Sequence, residues 1–392
     1  MSLLHILPSI APETGGPSVS IPMMCKALAD EGNRVVLFTT LWPRSILYPK
    51  GPEIKVENNV TIHLFPTKRK FLTGNLPYSP RLIEAIQRTA RNVDFTLVHS
   101  LWNPLATFAA RTLRRLEVPY GIMAHGMLDP LVLRRKWWKK TPWLYLYERE
   151  NIEKARILIF TSQRCREKAL DSNLSFQRTF IFPHIIDLAK WKRLPARGSF
   201  EEKFPPAKGR EIILFVGRIN WVKNLDKLLL ALSILKNDRP QAMVVCAGPD
   251  NEGYQKILEK QALSLGISDS LLFTGILSRE DLRAAYARAD VFALISKKEN
   301  FGLFVAEALA CGIPGVISEG VDIAPLFRSK NPLRVVKPCP GEIAAALKVM
   351  LERSATVGVP DPEAWDLAEK EWGENKVHAL VQTYREILGK SS

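Results

Sequence analysis

The sequence predicts two α/β domains in tandem, each a mostly parallel sheet wound on both faces by helices. Three observations predict this. At 392 residues the chain is too long for one ordinary core. Short apolar runs alternate with stretches of helical periodicity, the pattern of right-handed strand–helix–strand units. One Pro- and Gly-rich stretch, Leu194–Gly209, lacks any period and divides the alternation into two series, so it reads as an interdomain linker.

In the first series, residues 1–195, the strands are Leu3–Leu7, Val35–Thr39, Thr96–His99, Gly121–Ala124, Ile157–Phe160 and Thr179–Phe182. Val19–Ala29 has helical spacing and stops before Glu31-Gly32. The second series, residues 196–375, has strands at Glu211–Val216, Ala242–Ala247, Leu271–Phe273, Val291–Leu294 and Gly315–Ile317, with helices at Leu225–Leu235, Ser278–Ala287 and Leu303–Ala310. Trp365–Leu388 reads as one helix anchored by Trp372, Leu380, Tyr384 and Leu388, and residues 376–392 are expected to pack back on the first domain. Open parallel sheets bind ligands at their strand C-terminal ends, so those edges are expected to line a shared cleft.

Composition narrows the function classes. No apolar run approaches the 18 residues of a membrane span, and the N-terminus lacks the basic start and cleavage site of a secretory signal, so it reads as a first strand. The five cysteines are scattered and show no CxxC spacing, which argues against a disulfide framework or zinc site and fits a reducing cytoplasm. The formal charge is +15, of which +14 falls within residues 1–195. A basic half implies an anionic partner there: a membrane surface, a phosphate-bearing acceptor or nucleic acid. A merely solvated basic surface is the plainer reading.

The strongest chemical signal is Glu299-Asn300-Phe301-Gly302-Leu303 followed by Glu307, closed by Gly312 and Pro314. Gly302 permits a tight turn, and a helix starting near Leu303 presents free N–H groups and a positive dipole end to an anion such as a diphosphate. Glu307 falls about one turn inside, within reach of neutral hydroxyls.

This segment resembles the Glu-x7-Glu signature of glycosyltransferase family 4, the group 1 retaining glycosyltransferases. The resemblance runs along nearly the whole chain in order. Gly15-Gly16 follows the first strand like the family's glycine-rich donor loop, and His125-Gly126 through Asp129-Pro130 resembles the segment holding a sugar-contacting histidine. Phe215-Val-Gly217-Arg218 through Lys223-Asn224 resembles the diphosphate clamp, and Phe273-Thr-Gly275-Ile276 the stretch flanking the nucleobase. The resemblance implies the GT-B architecture, two Rossmann-like domains facing a central cleft, and the activity of a retaining hexosyltransferase.

The donor it implies is a nucleotide diphosphate sugar, best matched by UDP-glucose or a related UDP-hexose such as UDP-N-acetylglucosamine. Arg218 and Lys223 would neutralise the diphosphate in place of a divalent metal, so no cofactor or metal is expected. Glu307 would accept from ribose hydroxyls, Glu299 would sit near the sugar ring, and backbone N–H groups of Asn300–Leu303 would bind hydroxyl or phosphate oxygens. Gly15 and Gly16 would let the backbone approach the diphosphate, and His125 would bond a sugar hydroxyl. The plainer alternatives are a surface ion pair for Arg218, a helix-surface carboxylate for Glu307, a satisfied core histidine for His125, a simple turn for Gly15-Gly16 and a helix cap for Asp129. The chain departs from the family at Phe182-Pro183-His184-Ile185-Ile186-Asp187, where His-Ile stands for the usual Asn-Gly.

Leu133–Tyr147 carries five cations, Arg134, Arg135, Lys136, Lys139 and Lys140, among five aromatic residues. Trp and Tyr favour a membrane interface and Lys/Arg favour anionic lipid, so peripheral contact at the inner face of a membrane is expected, with a glycan or lipid-linked glycan as acceptor. The alternative is a helix whose aromatics pack inward while its cations stay solvated. No nucleic-acid partner is expected, because no nucleic-acid fold accompanies the stretch. The biological role expected is bacterial exopolysaccharide or lipid-linked glycan assembly. Two other functions fit the architecture: a sugar-nucleotide 2-epimerase and a non-catalytic partner subunit. A dinucleotide oxidoreductase is disfavoured, since no GxGxxG follows the first strand.

Overall fold

A computed structural model describes residues 1–11, 14–40, 53–67, 78–134, 137–250, 252–327 and 331–389. The chain forms two compact units: Met1–Ile185 with the C-terminal segment from Glu374, and Ile186–Gly373.

The first unit has strands β1 (Ser2–Ser9), β2 (Arg34–Thr40), β3 (Glu53–Glu57), β4 (Val60–Phe65), β5 (Phe95–His99), β6 (Tyr120–Met123), β7 (Ile157–Phe160) and β8 (Thr179–Ile181). Among the described residues they make one sheet in the order β3-β4-β2-β1-β5-β6-β7-β8, parallel except for β3 against β4. Both faces are buried, as a helix-covered parallel sheet requires. Leu3, Leu7, Val35 and Leu37 point into one core with Ile21 and Leu28, whereas Leu4, Ile6, Val36 and Phe38 point into the other with Leu105 and Ala109. The period-2 alternation of side chains in β1 and β2 thus divides between two cores.

The second unit has β9 (Glu211–Val216), β10 (Ala242–Ala247), β11 (Leu271–Gly275), β12 (Val291–Leu294), β13 (Gly315–Ser318) and β14 (Leu333–Val336). Their order is β11-β10-β9-β12-β13-β14, with the recorded pairings parallel. The order reverses at β9 and β12, the switch point where a doubly wound sheet opens a crevice at its carboxyl edge.

Three elements differ from the sequence reading. β3 and β4 form a hairpin turned by Asn58 and Asn59, both at positive φ as a tight primed turn needs. Leu194–Gly209 is not a bare linker: it contains the helix Gly198–Lys203, its Phe200 and Ala207 are buried, and Glu201 receives Arg288 at 2.5 Å. The chain instead passes between units at Ile185–Ile186. The single helix expected over Trp365–Leu388 is two helices, Pro362–Trp372 and Lys376–Ile387, because Gly373 leaves the helical region at ψ 159. The second of these packs in the first unit, with Tyr384 buried against Phe95 at 4.7 Å between ring centroids.

Candidate active site

The second unit builds its site where β9 and β12 end. After β9, Gly217 leads to Arg218, whose side chain is exposed and has no recorded ion pair among the described residues. The next turn, Trp221–Lys223, is capped by Asn220, whose Oδ1 accepts from the Val222 N–H at 3.1 Å. Asn224 takes the left-handed conformation (φ 52), which Asn tolerates better than most residues, and opens the helix Leu225–Leu235. Its side-chain amide is buried and without a partner among the described residues. The turn is tied to the loop after β12 by the Lys297 N–H donating to the Val222 carbonyl at 2.8 Å.

That loop carries Glu299. Its backbone is fixed on both sides, donating to the Gly320 carbonyl at 3.0 Å and accepting from the Asp322 N–H at 2.8 Å. Its carboxylate pairs with the Lys223 ammonium. The structure thus joins one residue of the clamp segment to the first glutamate, a contact the sequence did not indicate. Asn300 follows, then Phe301, which is buried edge-on against Trp372 at 5.9 Å. Gly302 has φ 74; a Cβ there would stand 2.9 Å from Leu294 Cδ2 and 3.3 Å from Glu299 Cγ. Only glycine fits that turn comfortably. No side chain caps the helix Leu303–Ala310 that begins there, so its first N–H groups are available to an anion.

Inside that helix Glu307 accepts a 2.6 Å hydrogen bond from the buried Tyr286 hydroxyl. Burial pushes its carboxyl up to about 7, and the Tyr286 bond opposes that rise. Glu307 is therefore no simple solvated helix carboxylate. Tyr286, on the helix Arg279–Arg288, was not singled out from the sequence, since nothing in its spacing ties it to Glu307. At the far end of the sheet, Gly275 closes β11 at φ 69 and accepts from the Gly248 N–H at 2.9 Å, and Ile276 beyond it is 77% exposed.

The first unit carries the other sequence-singled residues. Gly15 (φ 111) precedes the helix Gly16–Asp30, whose start has no side-chain cap; Ser18 donates instead to the Gly15 carbonyl at 2.6 Å. His125 follows β6 at φ 48, and its Nδ1 is buried without a partner among the described residues. Its Nε2 lies 3.3 Å from His99 Nδ1, and His184 stacks on its ring at 5.3 Å and 5°. The departure from the family motif thus puts an aromatic ring over His125. Asp129 caps the turn Pro130–Arg134 by accepting from the Leu131 N–H at 2.8 Å, and also pairs with Lys168 at 3.0 Å.

The basic aromatic stretch divides. Trp143 turns inward, its Nε1 donating to Thr107 at 3.2 Å, and Tyr147 packs with it against Phe108. Trp137, Trp138 and Tyr145 remain 65%, 59% and 65% exposed, so inward packing accounts for only part of the stretch. Lys139 lies over the Trp138 ring at 4.7 Å, Lys140 donates to the Val132 carbonyl, and Arg134 is exposed. Arg135 and Lys136 lie outside the described residues.

Two doubly wound sheets, with an uncapped helix start and a Lys–Glu pair at one sheet's switch point, make the architecture of a GT-B glycosyltransferase. Comparison with known proteins bears this out. A model described as "Glycosyltransferase Family 4" matches residues 14–190, and one described as "Glycosyl transferases group 1" matches residues 197–366. The chain belongs to this glycosyltransferase family and has the GT-B fold. It is 24% identical over 322 residues to the alpha-monoglucosyldiacylglycerol synthase of Streptococcus pneumoniae, covering 79% of this chain and 69% of that one. It is 26% identical over 333 residues to a D-inositol 3-phosphate glycosyltransferase of Kineococcus radiotolerans, covering 80% and 75%. The Anabaena protein HepE, solved in complex with UDP-glucose, superposes over 100% of both chains with a TM-score of 0.75 at 17% identity, a likeness of fold. Among the described residues no helix is long and apolar enough to cross a membrane.

Proposed function

We propose that this glycosyltransferase is a retaining hexosyltransferase that uses a UDP-sugar, UDP-glucose or a related UDP-hexose, and glycosylates an acceptor hydroxyl in exopolysaccharide or lipid-linked glycan assembly. The observation that carries the donor reading is the Lys223–Glu299 pair beside the uncapped helix start at Gly302. Lys223 supplies a cation and the helix start supplies N–H groups that no side chain caps, a combination that supports diphosphate binding. Arg218, exposed on the adjoining turn, adds a second cation. Their two charges take the part a divalent metal would otherwise play, so the reaction is read as metal-independent. Glu307 accepts from the ribose hydroxyls, Glu299 lies by the sugar ring once the diphosphate engages Lys223, and Ile276 flanks the base. The backbone of Asn300, Phe301, Gly302 and Leu303 holds sugar or phosphate oxygens. Gly15 and Gly16 give the first unit's backbone its approach to the donor, and His125 is assigned to a sugar hydroxyl.

In this reading the acceptor oxygen attacks the anomeric carbon from the face that the diphosphate leaves. The new C–O bond forms as the C–O bond to phosphate breaks, and the acceptor's proton passes to the departing diphosphate. The developing negative charge is stabilised by Arg218, Lys223 and the helix N–H groups. HepE's complex with UDP-glucose and the glucosyl product named for the Streptococcus relative support a UDP-glucose donor. The test is a donor screen by coupled diphosphate release. Release of UDP that depends on added acceptor supports transfer, whereas interconversion of the free nucleotide sugar without acceptor points to an epimerase. Activity unchanged by EDTA supports metal independence.

The exposed Trp137, Trp138 and Tyr145 beside Arg134 and Lys139 support a peripheral contact with anionic lipid at a cytoplasmic membrane face, where a lipid-linked acceptor would reside.

A further inference from the structure

Four of the six histidines are buried in one column of the first unit. His5 lies within β1, His99 ends β5 and His125 follows β6, three adjacent strands, while His184 follows β8 beyond β7, so the sheet order brings together residues remote in sequence. His5 Nδ1 lies 3.0 Å from His99 Nε2, and His99 Nδ1 lies 3.3 Å from His125 Nε2. The rings stack at 5.3 Å, 5.5 Å and, for His125 on His184, 5.3 Å. Beyond the column, His125 Nδ1 is buried and has no partner among the described residues, on a backbone held at φ 48.

We propose that His5, His99 and His125 form a single hydrogen-bonded tautomer chain that sets whether His125 Nδ1 offers a proton or a lone pair to a bound hydroxyl. Burial keeps all these rings neutral: His5 and His184 titrate at about 3, and His99 and His125 are held well below the ordinary range, His99 also by its three neighbours. A neutral imidazole carries one N–H, so each ring donates from one nitrogen and accepts at the other. Two ring–ring bonds then admit two arrangements. If His5 donates from Nδ1, His99 accepts at Nε2 and donates from Nδ1. His125 accepts at Nε2, and its own proton stands on the free Nδ1. If His125 donates from Nε2, His99 donates from Nε2 to His5 and the free Nδ1 is bare. In either case all three rings share one tautomer, and the state at His5 is read out at His125. His184 stacks on His125 without closing its Nδ1, so it is a positioning residue that holds the ring plane. His5 and His99 are positioning residues too. The ligand end of this inference rests on the assignment of His125 to a donor-sugar hydroxyl; the tautomer end does not.

The test is long-range 1H–15N correlation on the full chain labelled with 15N-histidine, with and without UDP-glucose, whose binding is followed separately by calorimetry. The expected result is that His5, His99 and His125 show one common tautomer, that UDP-glucose shifts the His125 Nδ1 resonance, and that His5→Phe changes the tautomer populations of both His99 and His125. Removing that anchor also weakens UDP-glucose binding about threefold to tenfold, the worth of one ordinary hydrogen bond. Mixed tautomers along the wild-type column, or His99 and His125 signals indifferent to His5→Phe, overturn the chain. UDP-glucose that binds by calorimetry yet leaves the His125 Nδ1 signal in place overturns its ligand end. Failure of UDP-glucose to bind at all counts against the donor reading and leaves the tautomer arm to decide the chain. The wild-type spectra need no variant, so a misfolded His5→Phe protein does not remove the test.

Discussion

The Tyr286 hydroxyl donates a 2.6 Å hydrogen bond to the Glu307 carboxylate, placing a fully buried phenol against a carboxyl that burial has pushed up to about 7. The phenol favours the ionised form and the low-polarity surroundings oppose it. Under the proposed function a ribose diol needs that carboxylate as an acceptor. Nucleotide affinity is therefore expected to strengthen as pH rises from about 6 to about 8, and Glu307→Gln to flatten the profile. Calorimetric titration with UDP across that range checks it; a wild-type profile as flat as the variant's contradicts the role given to Glu307.

The same group links stability to pH with a definite sign. Its folded carboxyl titrates above the ordinary value of 4.5, so the folded chain holds this proton more tightly than the unfolded one. The stability this contributes is full below about 4.5 and is lost as pH rises through about 7. Thermal melts of wild type minus Glu307→Gln should show the wild type losing ground over that window. Tyr286→Phe removes the opposing bond and should move the midpoint of the loss upward. A difference curve without slope between those values is the contrary result.

Gly302→Ala places a methyl group where Leu294 and Glu299 already stand, at a φ of 74 that disfavours any side chain. A loss of about 1–3 kcal/mol in stability is expected, with nucleotide binding lost further because the helix start turns away. Denaturant unfolding and UDP titration read the two effects. A variant as stable and as tight-binding as the wild type shows the turn to be permissive.

The exposed Trp137 and Trp138 give the membrane reading its own test. Flotation with vesicles of phosphatidylglycerol and phosphatidylcholine should recover the wild type at low salt, less at high salt, and the Trp137→Ala/Trp138→Ala double variant poorly at both. Anionic-lipid attraction is worth about 1 kcal/mol per basic residue near the surface and is screened by salt, whereas the indole contribution is not. No recovery of wild type at low salt contradicts membrane attachment through this stretch.

Strands with a buried, continuous apolar run were legible in the sequence because burial on both faces leaves no choice of residue type: Ile157–Phe160 and Val291–Leu294 are buried throughout. β3 was not, since Glu53-Ile54-Lys55-Val56-Glu57 lies at the sheet edge with Ile54 and Val56 exposed, and only Asn58-Asn59 signalled a turn. The break at Gly373 was hidden because apolar residues on both sides keep a helical period while they serve different units. Among site residues, the glycine turn and the helix after it were legible as local chemistry. The contacts Lys223–Glu299, Tyr286–Glu307 and His125–His184 join residues far apart in sequence, and no spacing encodes them. His184 stood out in the sequence only as a mismatch to the family motif, with nothing local to say what it touched.

In the proposed function the turn at Lys223 and the helix start at Gly302 hold the diphosphate of a nucleotide sugar. Calorimetric titration of wild type and Lys223→Met with UDP and UDP-glucose, with circular dichroism to confirm both are folded, tests it most directly. Saturable binding of both ligands to wild type is expected, with a loss of about tenfold to a hundredfold in the variant, the worth of a charge-assisted contact. Wild type that binds neither ligand at millimolar concentration, or a folded Lys223→Met that binds both as tightly as wild type, contradicts it.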